Sequence, residues 1–312
     1  MPAVSVIIPV YKVEDYIERC ARHLFEQTLE DIEYVFVDDC TPDSSICILE
    51  RVLADYPSRS GSVTILHNSV NCGLPFSRRK GFEASTGDYI IHCDSDDWPE
   101  NDMYAKLYAK ASCENLDMVL CHRRVWSGGE SVVGDDKLGA ADVTAALLRQ
   151  QIFNHVTNKL VSRRAYDKGV VWPDKNMCED SALIIQLACN CDSFGFVFEP
   201  LYNYVYRREG SLSKDEDTVS KLEQMRENFN LAICGIEKRG LALKYSREIA
   251  DLKCYLKLVA RNLPRSYYLN VYPEVNFSFL FNDHWSVKER LGHLSKLMGL
   301  REIIYRFKHR AK

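Results

Sequence analysis

The chain has 312 residues, 46% hydrophobic and 27% charged, the balance of a soluble globular protein rather than a disordered or collagen-like one. That length suits one large domain or two modest ones. Forty Lys and Arg against forty-four Asp and Glu leave a formal charge of −4, which argues against a nucleic-acid binder, a class that is normally basic.

The first half alternates strand and helix patterns. Val4-Ser5-Val6-Ile7-Ile8 is a β-branched run ended by Pro9, and Tyr16 to Phe25 sets Ile17, Cys20, Ala21 and Leu24 on one helical face. Further apolar strands are expected at Tyr34–Val37, Val63–Leu66, Tyr89–Cys93 and Met118–Cys121. Nearly continuous apolar strands separated by helical stretches predict an α/β fold with a parallel sheet covered on both faces. After about Ser213, Val219, Leu222, Met225, Phe229 and Ile233 recur at three- and four-residue steps. Ile249, Leu252, Leu256, Val259 and Leu263 do the same until Pro264. The expected division is therefore a domain over 1–212 and a helical region over 213–312.

The N-terminus runs quickly into charges without a basic leader, and no window approaches eighteen uninterrupted apolar residues. Twelve scattered cysteines without a CxxC pair read as reduced thiols. Together these features predict a cytoplasmic protein.

Two of the predicted strands end in paired acids, Asp38-Asp39 and Asp94-Ser95-Asp96-Asp97. Ligands of open parallel sheets bind beyond the carboxyl ends of strands, so these acids face the expected crevice. Clustered carboxylates repel in a low dielectric, and a hard divalent cation such as Mg²⁺ or Mn²⁺ relieves that repulsion. A solvated turn is the plainer reading of such a cluster; its place directly after an apolar strand favours the ligand site. Asp43 reads as a helix cap, whereas Asp39 is placed to accept from the imide N–H of a uracil. Arg78-Arg79-Lys80 is either a solvated helix face or a clamp on a pyrophosphate. His67, His92 and His122 lie in or beside strands and read as packing or pairing residues.

The strings VSVIIPVYKVEDYI, EYVFVDDCTPDSS and NCGLPFSRRKGFEASTGDYIIHCDSDDW resemble, in their order, family 2 of the inverting glycosyltransferases, of GT-A fold. Asn158-Lys159-Leu160, Cys178-Glu179-Asp180-Ser181 and YVYRREGSLS at 204–213 are similar to acceptor-side elements of bacterial members that build surface polysaccharides. The resemblance implies a nucleotide-sugar donor, a glycan or lipid-linked acceptor, and a divalent metal. It places Pro9, Val10, Tyr11 and Glu14 around the nucleoside, with Asp39 on the base and Arg78 beside the nucleotide. Asp94, Ser95, Asp96 and Asp97 would form the donor-side acidic motif, with Asp96 and Asp94 on the metal. Asp180 would be the general base, supported by Glu179. Without the resemblance, Glu179 and Asp180 read as the acidic first turn of a helix. Lys159 is either a surface lysine or a group near the acceptor or donor phosphates. Arg207 and Arg208 either close over the diphosphate or sit in a solvated loop. Cys40 and Arg79 depart from the residues usual at their positions in that family.

Two other readings remain: a non-catalytic nucleotide-sugar-binding scaffold of the same fold, and a haloacid-dehalogenase-type phosphatase. The latter is disfavoured because its acidic signature follows the first strand and continues differently from Trp98. Finally, the charge is uneven. Trp285 to Lys312 carries eight Lys or Arg and two Asp or Glu, a net of +6 that leaves −10 for residues 1–284. This tail reads either as a packed terminal helix or as a basic amphipathic element on an anionic membrane surface, which would make the protein peripheral at the inner face of the cytoplasmic membrane.

Overall fold

The structure, a computed structural model, describes residues 2–134, 136–206, 218–281 and 285–300. The predicted boundary at 212/213, together with Arg207 and Arg208, falls outside them, as does the tail from 301 onward. Among the described residues, nine strands form one sheet: β1 (Val4–Val10), β2 (Ile32–Asp38), β3 (Val63–His67), β4 (Tyr89–His92), β5 (Trp98–Pro99), β6 (Met118–Ser127), β7 (Glu130–Val133), β8 (Lys159–Ser162) and β9 (Phe194–Val205). Their order is β3-β2-β1-β4-β8-β6-β9-β5, with β7 paired to β6 as a hairpin. β1, β2, β3 and β4 are mutually parallel, and β6 is parallel to β9. The sheet is mostly rather than wholly parallel, because β8 runs antiparallel to both β4 and β6. The fifth predicted strand is longer than its apolar run: β6 continues through His122 to Ser127, where pairing with β7 and β9 replaces apolar burial as the reason for extension.

Helices cover both faces. α1 (Ile17–Phe25), α2 (Ser45–Ala54) and α4 (Met103–Glu114) pack on one side, against Val4, Val6, Ile8 and Val10 of β1. Ile7, Ile90, Met118 and Leu120 point the other way, as the two-residue period of a strand requires. They meet a layer built from α5 (Val143–Leu148), α7 (Glu179–Asn190), α8 (Thr218–Lys238) and α9 (Ser246–Val259). Leu222, Met225 and Phe229 of α8, and Leu252 and Leu256 of α9, share one buried cluster with Leu183, Ile184 and Leu187 of α7. The helical C-terminal region is thus continuous with the core of the sheet domain. Within the predicted stripes, Val219 and Val259 are exposed.

α3 (Leu74–Ala84) lies on the same side as α7, close enough that Gly81 has no room for a side chain. A Cβ there would sit 2.5 Å from Cγ2 of buried Ile7 and 3.3 Å from Cγ2 of Val37. Although alanine gains about 1 kcal/mol of helix propensity over glycine, both neighbours are stiff β-branched side chains on central strands. Gly81→Ala is therefore expected to destabilise the fold by about 1–3 kcal/mol, read as a lowered denaturant midpoint. An unchanged midpoint would mean that α3 is free to shift away from β1.

Candidate active site

Because β1, β2 and β4 are parallel and in register, their carboxyl ends lie side by side, Val10 facing Asp38 and Ile7 facing His92. A cavity of about 630 Å³ opens there, lined among others by Pro9, Val10, Tyr11, Asp39, Arg78, Asp94, Ser95, Asp96, Glu179 and Asp180. Ten sequence-selected residues, drawn from segments up to 171 positions apart, therefore converge on one space.

At one end, the turn Asn71-Cys72-Gly73 wraps the Asp39 carboxylate. Asp39 Oδ1 accepts from Asn68 Nδ2 and the Cys72 amide at 2.8 Å each, and Oδ2 from the Gly73 amide at 2.8 Å. Gly73 has φ 89°, a conformation glycine adopts without strain. Glu14 lies outside the cavity lining; its carboxylate accepts from the Ser44 amide at 3.0 Å, and Asp43 accepts from the Glu14 amide at 3.1 Å. These exchanges tie the loop after β1 to the turn before α2, so Glu14 acts on the site only through that loop. Asp43 Oδ1 also accepts from the Ser45 amide and hydroxyl, which satisfies the start of α2.

In the middle of the cavity, the turn after β4 gathers Asp94, Asp96 and Asp97, each able to offer a carboxylate oxygen within 4.8 Å of the others. Asp97 is buried and does not line the cavity: Oδ1 accepts from the Val205 amide at 2.7 Å and Oδ2 from the Tyr202 hydroxyl at 2.9 Å. Its part is to fasten the acidic turn to β9. Burial, with Asp96 and Asp94 adding like charge, pushes its carboxyl well above the usual range. Burial likewise raises Asp94 to about 6 despite the Arg78 guanidinium beside it. Clustered hard oxygen donors of this kind fit a divalent cation, with Asp94 and Asp96 on the cavity side.

Arg78 joins this turn to the start of α7. It is 1% exposed; Nη2 donates to Asp94 Oδ1 at 2.8 Å and lies 3.4 Å from Asp180 Oδ1, while Nε donates to Glu179 Oε1 at 2.8 Å. Glu179 and Asp180 do form the acidic first turn of α7, entered through Cys178 at φ 60°, and they also face Arg78. Burial first, and then the Glu179 charge, push Asp180 to about 8, against the pull of Arg78.

Lys159 is neither a surface lysine nor part of the cavity wall. Its buried Nζ donates to the carbonyls of Phe153 and His155 at 2.8 and 2.7 Å and to Asn158 Oδ1 at 2.7 Å. It clamps the segment whose Phe153, Asn154 and His155 line the cavity, and burial lowers it to about 8. Motif reading missed these three residues. The Asn154 amide is buried, and neither its nitrogen nor its oxygen has a partner among the described residues, but no spacing in the sequence marks it. Two of the histidines read as pairing residues do pair, His67 with Asp38 at 2.9 Å and His92 with the Tyr166 hydroxyl at 3.2 Å.

Residues 5–171, more than half of the chain, match the sequence profile described as Glycosyl transferase family 2. The chain belongs to that family. The uncharacterized glycosyltransferase EpsJ of Bacillus subtilis (strain 168) is 40% identical over 121 residues, 39% of this chain and 34% of EpsJ. The chain spans about a third of the length of EpsJ and of EpsH, a putative glycosyltransferase of the same organism. Glycosyltransferase GlyG of Streptococcus pneumoniae is 23% identical over 269 residues, 80% of this chain and 87% of GlyG. Among solved structures, residues 1–349 of S. aureus TarS in complex with UDP superpose with a TM-score of 0.70 at 17% identity, covering 97% of this chain and 92% of that one. The mannosyltransferase PcManGT of Pyrobaculum calidifontis, in complex with GDP-Man and Mn²⁺, gives 0.57 at 14% identity, covering 95% and 86%. The fold of this glycosyltransferase family 2 member is thus the GT-A fold, with helices added at its C-terminal end.

Proposed function

We propose that this family 2 member is a metal-dependent, inverting enzyme that moves a sugar from a uridine-diphosphate-linked donor to a hydroxyl of a glycan or lipid-linked acceptor in surface-polysaccharide synthesis. The observation that carries this reading is the Arg78 bridge, which sets a carboxyl raised to about 8, Asp180, beside the acidic turn in one cavity. TarS, solved with UDP and with UDP-GlcNAc, supports the choice of donor class.

Pro9, Val10 and Tyr11 would wall the nucleoside, and Asp39, already fixed by three hydrogen bonds, would accept from the base. Asp94 and Asp96 would hold Mn²⁺ or Mg²⁺, and the bound ion would neutralise the negative charge of the departing diphosphate, worth several kcal/mol. Ser95, between them in the sequence, lines the same cavity. Asp180, once deprotonated, takes the proton of the acceptor hydroxyl as that oxygen attacks the anomeric carbon from the face opposite the leaving group, which inverts the configuration. Glu179 holds Arg78, and Arg78 holds Asp180 and Asp94 at fixed separation. A scaffold that only bound donor would have no use for a buried, costly Asp180.

A thermal-shift panel of nucleotide sugars tests the reading, since a ligand at 100 times its Kd adds about 2.7 kcal/mol to stability. Uridine-linked donors are expected to raise the midpoint further with Mn²⁺ or Mg²⁺ present than without; no response to any nucleotide sugar would refute the reading. Asp96→Asn is expected to abolish the metal-dependent increment in donor affinity measured by calorimetry, leaving the metal-free affinity in place. If that increment persists, Asp96 is not a metal ligand.

A further inference from the structure

The C-terminal helices carry a second cavity, of about 490 Å³, that the transfer chemistry does not use. It lies between the end of α9, α10 (Arg265–Asn270) and α11 (Val287–Leu297). Arg261, Lys288 and Lys296 line it, and the one carboxylate on its wall among the described residues, Glu289, is engaged with Ser286 in a capping box. α11 is fixed from both ends and from one side. The capping box defines its start, the Arg265 guanidinium donates to the carbonyls of Lys296 and Leu297 at its end, and buried His293 stacks on Phe279, donates from Nε2 to the Asn276 carbonyl and pairs through Nδ1 with the Tyr268 hydroxyl.

Held in this way, α11 turns an apolar stripe outward. Val287, Leu291 and Met298 are 64, 60 and 57% exposed, and Leu294 between them is half-buried. The spacing 287, 291, 294, 298 keeps all four within one narrow face. Lys288 and Arg290 flank that face on either side, by about 100° per residue of helical rotation.

We infer that this surface docks the protein on an anionic lipid bilayer, with the stripe of α11 at the acyl boundary and phosphate headgroups against Lys288, Arg290 and Arg261. Charge selects the occupant. Lysine is depleted in protein–protein interfaces, whereas Lys and Arg stems beside an apolar stripe reach outward to headgroups. The chain also continues from α11 with REIIYRFKHRAK, five further Lys or Arg and one Glu. No helix among the described residues is long and apolar enough to cross a membrane, so α11 lies in the interface plane. α9 and the turn that follows it link this surface to the chemistry: Tyr255 of α9 lines the reaction cavity and Arg261, two residues past the end of α9, the basic one. The inference rests on the proposed lipid-linked acceptor for its purpose, but its geometry does not depend on donor binding.

Flotation of the full chain with phosphatidylcholine vesicles, with and without about 30 mol% phosphatidylglycerol, tests it. Partitioning is expected only with phosphatidylglycerol, and to fall as salt is raised. Lys288→Ala and Arg261→Ala should each weaken it about fivefold, and Leu291→Glu with Met298→Glu by more than about tenfold. These side chains are exposed, so unchanged melting and unchanged donor-induced stabilisation are expected in every variant. Equal partitioning to both vesicle types, or partitioning untouched by the Leu291 and Met298 changes, would overturn the inference. So would a lipid-free dimer that Leu291→Glu dissociates, since the stripe would then belong to a second copy. Vesicle binding lost with donor stabilisation intact counts against this surface alone; the reverse counts against the donor reading alone.

Discussion

Asp180→Asn is expected to lower turnover by about 10²–10⁴-fold while leaving nucleoside-diphosphate affinity nearly unchanged. Asparagine keeps the shape of the side chain and can still accept from Arg78 Nη2, but it cannot take a proton from an acceptor hydroxyl. The wild type adds a pH signature. Asp180 is raised to about 8, with burial the largest cause and Glu179 the next, so the base form grows as pH rises. Its kcat/KM should climb with pH and level off above about 8, a limb that Asp180→Asn lacks. Stability moves the opposite way. In the unfolded chain this carboxyl titrates near 3.8 and in the folded chain near 8; between those values the folded state retains the proton more strongly, so ionisation costs stability progressively and the cost is complete above about 8. Asp180→Asn escapes that cost. It should melt at the wild-type temperature near pH 4 and several degrees higher at pH 8, at about 2–4 °C per kcal/mol. A slow variant that is more stable at alkaline pH identifies a base kept at the expense of stability. Wild-type turnover in Asp180→Asn would remove Asp180 from the mechanism.

What could be read from the sequence follows from which physical effects are local. β1, β2 and β4 declare themselves because strands buried on both faces must be apolar throughout, and the acids that terminate them fall at the ligand edge by topology. β8 does not: Lys159–Ser162 is four residues long, and its burial comes from insertion between β4 and β6, which no local period encodes. The periodic stripes of α8 and α9 predict helices, but not that α7 would cover them. Arg78 and Arg79 look alike in the string SRRK, yet one is 1% exposed and the other pairs with Glu83 at the surface, its side chain 55% exposed. Adjacent helical residues point about 100° apart, and only the position of β1 against α3 decides which of them is buried. Lys159 reads as either a surface lysine or a charge near the substrate phosphates and is neither, because a buried lysine satisfied by two carbonyls and an amide has no local signature. Asn154 is invisible for the same reason.

Arg78→Met should have the largest effect on the fold. One guanidinium meets Asp94, Glu179 and Asp180 in a buried space, and each carboxylate is the others' repulsive neighbour. Removing the cation leaves that repulsion uncompensated, and breaking a buried ion pair in this way costs about 3–5 kcal/mol. At about 2–4 °C per kcal/mol for a protein of this size class, the melting temperature at pH 8 should fall by roughly 6–20 °C. Two conditions should return part of the loss. Acidification toward pH 5 protonates Asp94, which is at about 6 even with Arg78 present, and Asp180, which is at about 8, so the gap to wild type should narrow as pH falls. Mn²⁺ should narrow it at pH 8, because a divalent cation at Asp94 and Asp96 supplies the positive charge the variant lacks. Arg78→Lys keeps the charge but offers a point contact where the fork reached three acids, so its melting temperature should lie between the two. Thermal melts of the three proteins at pH 5 and pH 8, with and without Mn²⁺, measure all of this. A variant that melts with the wild type at pH 8 would show that the carboxylates ionise independently of Arg78, and the bridge between metal-side acids and base would lose its energetic basis. Recovery by acid without recovery by Mn²⁺ would instead retain the bridge and move the cation away from Asp94 and Asp96.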